Sequence, residues 1–243
     1  MNKSGLSREG LKVIACVTML LDHIGATIVL SQLSANPSVQ LQELYELLRL
    51  IGRLSFPIYC FLLTEGSFYT KHPGNYAFRL SVNALLAEIP YDLAFRGGWS
   101  WAKQNVMITL LLAFLALEVM KKCKDPLMKL VAALPFALAA ELARSDYGWE
   151  GVLLVALFAV TRELPWKRLI QFLGMWFLFS PDNAMALNWL NVIHVTLQEY
   201  AVLSLIPIQL YNGKKLTRSK VVQWGFYLFY PAHLLVLYCI GRL

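Results

Sequence analysis

The stretch LKVIACVTMLLDHIGATIVL, Leu11 to Leu30, constrains this chain more than any other, because it is apolar throughout except at its centre. About 20 residues at ~1.5 Å each cross the ~30 Å of a bilayer's hydrocarbon. Asp22 and His23 stand in the middle of that length. A carboxylate there costs on the order of 2.5–3.5 kcal/mol to insert. A helix that only anchored would carry leucine at both positions. The pair therefore reads either as a functional site or as a buried polar tie between helices. Helix neighbours point ~100° apart, so Asp22 is poorly placed to orient His23 from the same helix. Each needs a partner elsewhere.

The rest of the chain has the same character. Of its 243 residues 58% are hydrophobic and 15% charged, where a soluble domain carries about 25% charged residues. The pattern predicts an all-α, polytopic transmembrane bundle forming a single domain over residues 1–243, with about nine membrane helices. The predicted spans are Leu11–Leu30, Leu44–Phe68, Tyr76–Phe95, Asn105–Met120, Pro126–Leu142, Gly151–Val160, Trp166–Phe179, Leu187–Tyr211 and Val221–Ile240. The sixth and seventh are short enough to be tilted, buried or re-entrant. The N-terminal run is too long for a signal peptide and lacks a small-x-small cleavage site, so it is read as a retained helix.

With the N-terminus placed inside, the loops facing the cytoplasm hold 16 of the 22 Lys and Arg, and the opposite side holds Arg96, Lys103, Arg144 and Arg242. That bias predicts a cytoplasmic N-terminus and an external C-terminus in a bacterial inner membrane. It also accounts for the net charge of +7 without a nucleic-acid partner. The cysteines, Cys16, Cys60, Cys123 and Cys239, are far apart and show no metal spacing, so no metal is expected.

The remaining two arginines, Arg49 and Arg53, lie four apart on one face of the second span. Arginine keeps its charge, so each needs an anion, water or carbonyls beside it, although Arg49 is also placed to snorkel outward. Pro57 removes the hydrogen bond that the Arg53 carbonyl would accept. Glu88 and Asp92 flank Pro90 in the third span, and His233 follows Pro231 in the last. Counted from the cytoplasmic edge, His23 and Arg53 lie about 17 Å up, Glu88 about 18 Å and His233 about 20 Å. One layer thus collects two histidines, an arginine and a carboxylate, and equal depth suggests an Arg53–Glu88 pair. A lone histidine in an apolar helix is as readily a packed core residue as a catalyst.

A second polar set, Asn105, Glu141, Asp146, Glu150, His194, Gln198 and Glu199, falls at the outer rim. The run SDYGWEG there combines turn residues, aromatics and acids as an interfacial cap does. At the opposite side the turn YNGKK sets Lys214 and Lys215 where they either meet a phosphate from the cytosol or mark topology.

The segments LKVIACVTMLLDHIG, LRLIGRLSFPIYCFLLTEGSFYT followed by YAFRL, EIPYDLAF, QNVMITLLLAFLALE, DYGWEGVLLV, IQLYNGKK and FYPAHLLVL, in this order, resemble the TraX family. Its members are polytopic inner-membrane proteins named for acetylating the N-terminus of conjugative pilin. The resemblance covers most of the chain and implies functional roles for Asp22, His23, Arg49, Arg53, Glu88, Asp92, Asn105, Tyr147 and His233. The family is also similar to the wider membrane acyltransferases, which carry acetyl from cytosolic acetyl-CoA to an acceptor across the bilayer.

An acetyltransferase needs a base for the acceptor proton and a cation for the oxyanion. His23 or His233 is the candidate base, Arg53 the oxyanion stabiliser, and Asp22 or Glu88 the orienting carboxylate. Arg49, Asp92, Asn105 and Tyr147 are candidate substrate contacts, and Lys214 and Lys215 candidate contacts for acetyl-CoA. The acceptor is expected to be a pilin-like protein, or a surface glycan or lipid. Intramembrane His, Glu and Arg with broken helices suit a proton-coupled transporter or flippase equally well. A non-catalytic assembly factor for a surface appendage is the third reading.

Overall fold

A computed structural model of the chain describes residues 5–180, 197–217 and 219–242. All the regular elements among them are helical. The first helix, α1, runs Arg8–Ala35. Ser7 caps it, its Oγ accepting from the Gly10 N–H at 3.0 Å, and Glu9 in the first turn complements the helix dipole. Immediately past His23 the helix widens into a π-turn over Gly25–Val29, with the Thr27 hydroxyl donating to the His23 carbonyl at 2.6 Å. Wide turns of this kind concentrate at functional sites.

Helix α2, Val39–Tyr69, breaks into two halves, Val39–Gly52 and Ser55–Tyr69. The break falls at Arg53–Leu54, four residues before Pro57, which offers no N–H to continue the ladder. The second half is buried along nearly its whole length, so α2 is the central helix. Then follow α3 (Pro73–Arg96), α4 (Val106–Met120), α5 (Pro126–Leu142), α6 (Gly148–Thr161) and α7 (Lys167–Phe179). A 3₁₀ segment, Leu197–Ser204, leads into the short α8, Leu205–Gln209, and α9, Lys220–Ile240, closes the chain.

Helices α1, α9, α3, α4 and α2 pack in succession around a central space, with α5, α6 and α7 stacked behind α4 and α2. Among the described residues three helices are long and apolar enough to cross a membrane: Arg8–Ala35, Val39–Tyr69 and Val221–Ile240. Helix α3 has the length, but its hydropathy is diluted by Arg79, Glu88, Asp92 and Arg96. The short sixth helix is a buried one, with Val152, Leu154, Val155 and Phe158 at most 2% exposed.

The predicted span Leu187–Tyr211 is not one continuous helix. Residues 197–209 form the 3₁₀ segment and α8, and the earlier part, with His194, lies outside the described residues.

The segments assigned by charge to one side do meet at one end of the bundle. There Leu6 donates to the Leu210 carbonyl at 2.8 Å and Arg8 to the Lys214 carbonyl at 2.9 Å. Arg162, at the end of α6, reaches Glu65 on α2 at 2.8 Å, and Lys121, after α4, reaches the Ser67 carbonyl at 2.6 Å. At the other end the Gln104 N–H donates to the Arg144 carbonyl at 3.0 Å and the Gln104 carbonyl accepts from the Asp146 N–H at 2.9 Å, tying the α3–α4 connection to the α5–α6 connection.

Candidate functional site

The space inside the ring is a cavity of about 1020 Å³. It touches α1 from Arg8 to Leu30, α2 from Tyr45 to Thr70 and α3 from Tyr76 to Arg96, so it runs between the two ends of the bundle. On α1 those limits lie ~33 Å apart.

Midway along it sits Asp22. Its carboxylate accepts from Arg49 at 2.7 Å and from Arg53 at 2.9 Å, one guanidinium on each oxygen. Arg53 also donates to Gln198 at 2.6 Å and, through Nε, to the Arg49 carbonyl at 3.2 Å. Two cations against one anion leave a net positive charge facing the cavity. The triad is built by close helix approach. A Cβ at Gly25 would stand 3.1 Å from Leu48, and one at Gly52 would overlap the Asp22 carboxylate. Gly52→Ala should therefore force Asp22 off its arginines and cost about 1–3 kcal/mol, the range for overpacking. Thermal unfolding in detergent measures it; an unchanged midpoint would mean that α1 and α2 separate without loss.

His23, one residue on, faces another neighbour. Its Nδ1 lies 2.6 Å from Nε2 of His233 on α9. The two rings are parallel within 2° with centroids 4.9 Å apart, as an in-plane hydrogen bond gives. Nδ1 of His233 in turn lies 2.6 Å from the Phe229 carbonyl. Phe95 packs edge-on against the His23 ring at 5.3 Å. His23 lines the cavity; His233 does not.

Tyr147 lies in the turn before α6 with its backbone in the left-handed region, φ 62°. Its ring stacks on Phe56 and lines the cavity near Arg53. Burial pushes its phenol up to about 12, with the Arg53 guanidinium pulling the other way, so it remains an O–H donor at neutral pH.

The other candidates gather elsewhere. Glu88 pairs with Asn105, not with Arg53: the Asn105 side chain donates to Glu88 and to the Ala84 carbonyl, while its Oδ1 caps α4 by accepting from Met107 at 2.9 Å. The expected Arg53–Glu88 pair is thus replaced by Arg53–Asp22, because equal depth on two helices does not fix the direction each side chain takes. Asp92 holds the Ser100 N–H at 2.8 Å and lies 3.9 Å from Arg96. Glu88, Asp92 and Asn105 do not line the cavity. Of the two loop lysines, Lys215 lines it and Lys214 does not.

At the Arg8 end of the cavity, sequence reasoning singled out Lys215 as a donor contact but not the cations gathered around it. Arg8, Lys12, Arg79 and Lys215 line it there beside Tyr76 and Thr217. Nε of Arg8 is buried with no hydrogen-bond partner among the described residues. Arg8, Lys12 and Arg79 were legible only as topology signals; the packing of α1, α3 and the 211–217 loop gathers them beside Lys215. Gln198 was visible as a rim residue, with nothing in sequence to tie it to Arg53. Among the described residues no group of three or more His, Cys, Asp or Glu is arranged to hold a metal ion.

The chain is 32% identical to the probable fimbrial assembly protein FimC, serogroup H1, of Dichelobacter nodosus, over 93% of this chain and 92% of that protein. No solved structure matches the chain. The family model described as TraX protein matches residues 7–241. A match over nearly the whole length places the chain in the TraX family.

Proposed function

We propose that this chain is an inner-membrane acetyltransferase that takes acetyl from cytosolic acetyl-CoA and delivers it to an amine or hydroxyl at the outer face. The observation that carries the reading is a single cavity, reaching both ends of the bundle, that exposes a histidine beside two guanidiniums at its middle. The N-terminus lies inside, following the excess of Lys and Arg in the loops at that end. A pilin-like protein is the favoured acceptor, in keeping with the fimbrial name of the relative.

In this reading the donor enters at the mouth lined by Arg8, Lys12, Arg79 and Lys215, whose charges suit the phosphates of a CoA thioester. The acceptor enters beside Tyr147 and Gln198. His23 takes the proton from the acceptor as its nitrogen or oxygen bonds to the acetyl carbon. The carbonyl oxygen gains negative charge, which Arg53 and Arg49 stabilise. The carbon–sulfur bond then breaks, the electron pair leaves with sulfur, and the imidazolium returns its proton to the thiolate. No charge is left behind.

The direct test mixes purified protein in detergent with acetyl-CoA and an amine acceptor and measures released CoA thiol. Release above the protein-free rate is expected; its absence with every amine and hydroxyl tried would favour a transporter or an assembly factor. Replacing Arg79 and Lys215 by Ala should weaken acetyl-CoA binding by about 10-fold at low salt and less at high salt, because partly exposed charges are screened. Equal affinity for both proteins at low salt would remove the donor from that mouth.

A further inference from the structure

We infer that His233 is a positioning residue that holds His23 in the tautomer with its proton on Nδ1 and its lone pair on Nε2, facing the cavity; this rests on the reading of His23 as the base.

Hydrogen-bond direction fixes the tautomer. The Phe229 carbonyl accepts only, so the nitrogen 2.6 Å from it, Nδ1 of His233, carries a proton. A neutral imidazole holds one proton, so Nε2 of His233 is an acceptor. That atom lies 2.6 Å from Nδ1 of His23, which must then donate. Neutral His23 is left with an unprotonated Nε2. The relay runs one way, from Nε2 of His23 through both rings to a helix carbonyl.

The placement of the rings gives this direction its use. His233 sits behind His23, 7% exposed and outside the cavity lining. The Nδ1 edge of His23 is therefore turned away from the cavity, and the Nε2 edge is the one left toward it. Phe95 and Tyr230 pack around the same ring and limit its rotation. A free histidine favours the opposite tautomer, with Nε2 protonated and unable to act as a base. Which nitrogen carries the proton is set by the bond the other one makes. Here a neutral histidine fills the place that a carboxylate takes in hydrolase triads. The carboxylate next to it in the chain, Asp22, is committed to Arg49 and Arg53.

The test reads the tautomer itself. The chain has four histidines, His23, His72, His194 and His233, few enough for the imidazole ¹⁵N signals of the full-length protein in nanodiscs to be assigned with His23→Gln. At about pH 8, where an ordinary histidine is neutral, His23 should show a protonated Nδ1 and a bare Nε2. His233→Phe should move the proton to Nε2 and lower acetyl transfer by ~10²-fold or more, the scale of losing a general base. His233→Gln keeps an acceptor near the original Nε2 position, so it should hold the tautomer and recover at least ~10-fold over His233→Phe. A wild-type His23 protonated on Nε2, or an unaltered tautomer in His233→Phe, overturns the assignment. So does a His233→Gln protein as inactive as His23→Gln, which would make His233 a proton carrier in its own right. A tautomer switch in His233→Phe with no transfer by any protein, wild type included, sustains the positioning of His23 and overturns only the acetyl-transfer reading.

Discussion

His23→Gln is expected to fold, insert and bind acetyl-CoA while losing ~10²–10⁴-fold of its transfer rate, the range for removing a general base. Glutamine fills much of the same volume and still hydrogen-bonds, so the 2.6 Å contact to His233 has a replacement partner. What it cannot do is accept a proton from an attacking amine and return it to sulfur. The acceptor would then have to attack with its proton in place, which is where the rate is lost. The measurement is CoA thiol release at saturating donor, with acetyl-CoA affinity determined separately. A loss in affinity with an unchanged turnover would make His23 a binding residue. Near-normal turnover would move the chemistry elsewhere in the cavity.

Asp22→Asn is expected to give the largest loss of stability, about 3–5 kcal/mol, as found when one partner of a buried ion pair is removed. The Asp22 side chain is only 14% exposed and the arginines 12% and 23%, so solvent screens the group weakly. Removing its charge leaves two guanidiniums repelling each other across an amide that can accept from just one of them at full strength. Double variants separate this from packing. Adding Arg49→Leu to Asp22→Asn should restore part of the stability, since it removes a cation that has lost its anion. Strictly additive losses in thermal unfolding would show that Asp22 does not couple the pair. Turnover should fall less than in His23→Gln, because Arg53 keeps its charge and its bond to Gln198.

Some of this site was legible in the sequence and some was not, for identifiable reasons. Asp22 and His23 stood out because an apolar helix carries such groups at a cost. The i,i+4 spacing of Arg49 and Arg53 placed both on one face, and both reach the same carboxylate. Depth counting brought His23 and His233 to one layer, where their rings meet. The same counting failed for Glu88, whose side chain turns to Asn105 and the start of α4. Depth follows from the helical rise alone; azimuth follows from which faces pack, and the apolar faces of α3 do not declare this. The π-turn had no sequence signature, since Gly25–Val29 reads as ordinary apolar helix. The span predicted over Leu187–Tyr211 rested on hydropathy, which does not distinguish an α-helix from the 3₁₀ turn observed at Leu197–Ser204.

The two-to-one ratio of guanidiniums to carboxylates at the centre of the cavity also bears on energy conservation. A wet passage reaching from one face of a coupling membrane toward the other is a route for leaking protons, and cells that live on a proton gradient tolerate few of them. Fixed positive charge along a pore raises the energy of any hydronium passing it. In the proposed reading Arg49 and Arg53, only half neutralised by Asp22, would form such a barrier beside His23, the group proposed to handle protons. The surplus charge proposed to steady a transition state would thus also keep the resting passage electrically shut. Substitutions that make the centre neutral are then expected to be toxic in an energised cell for a reason unconnected with the acceptor.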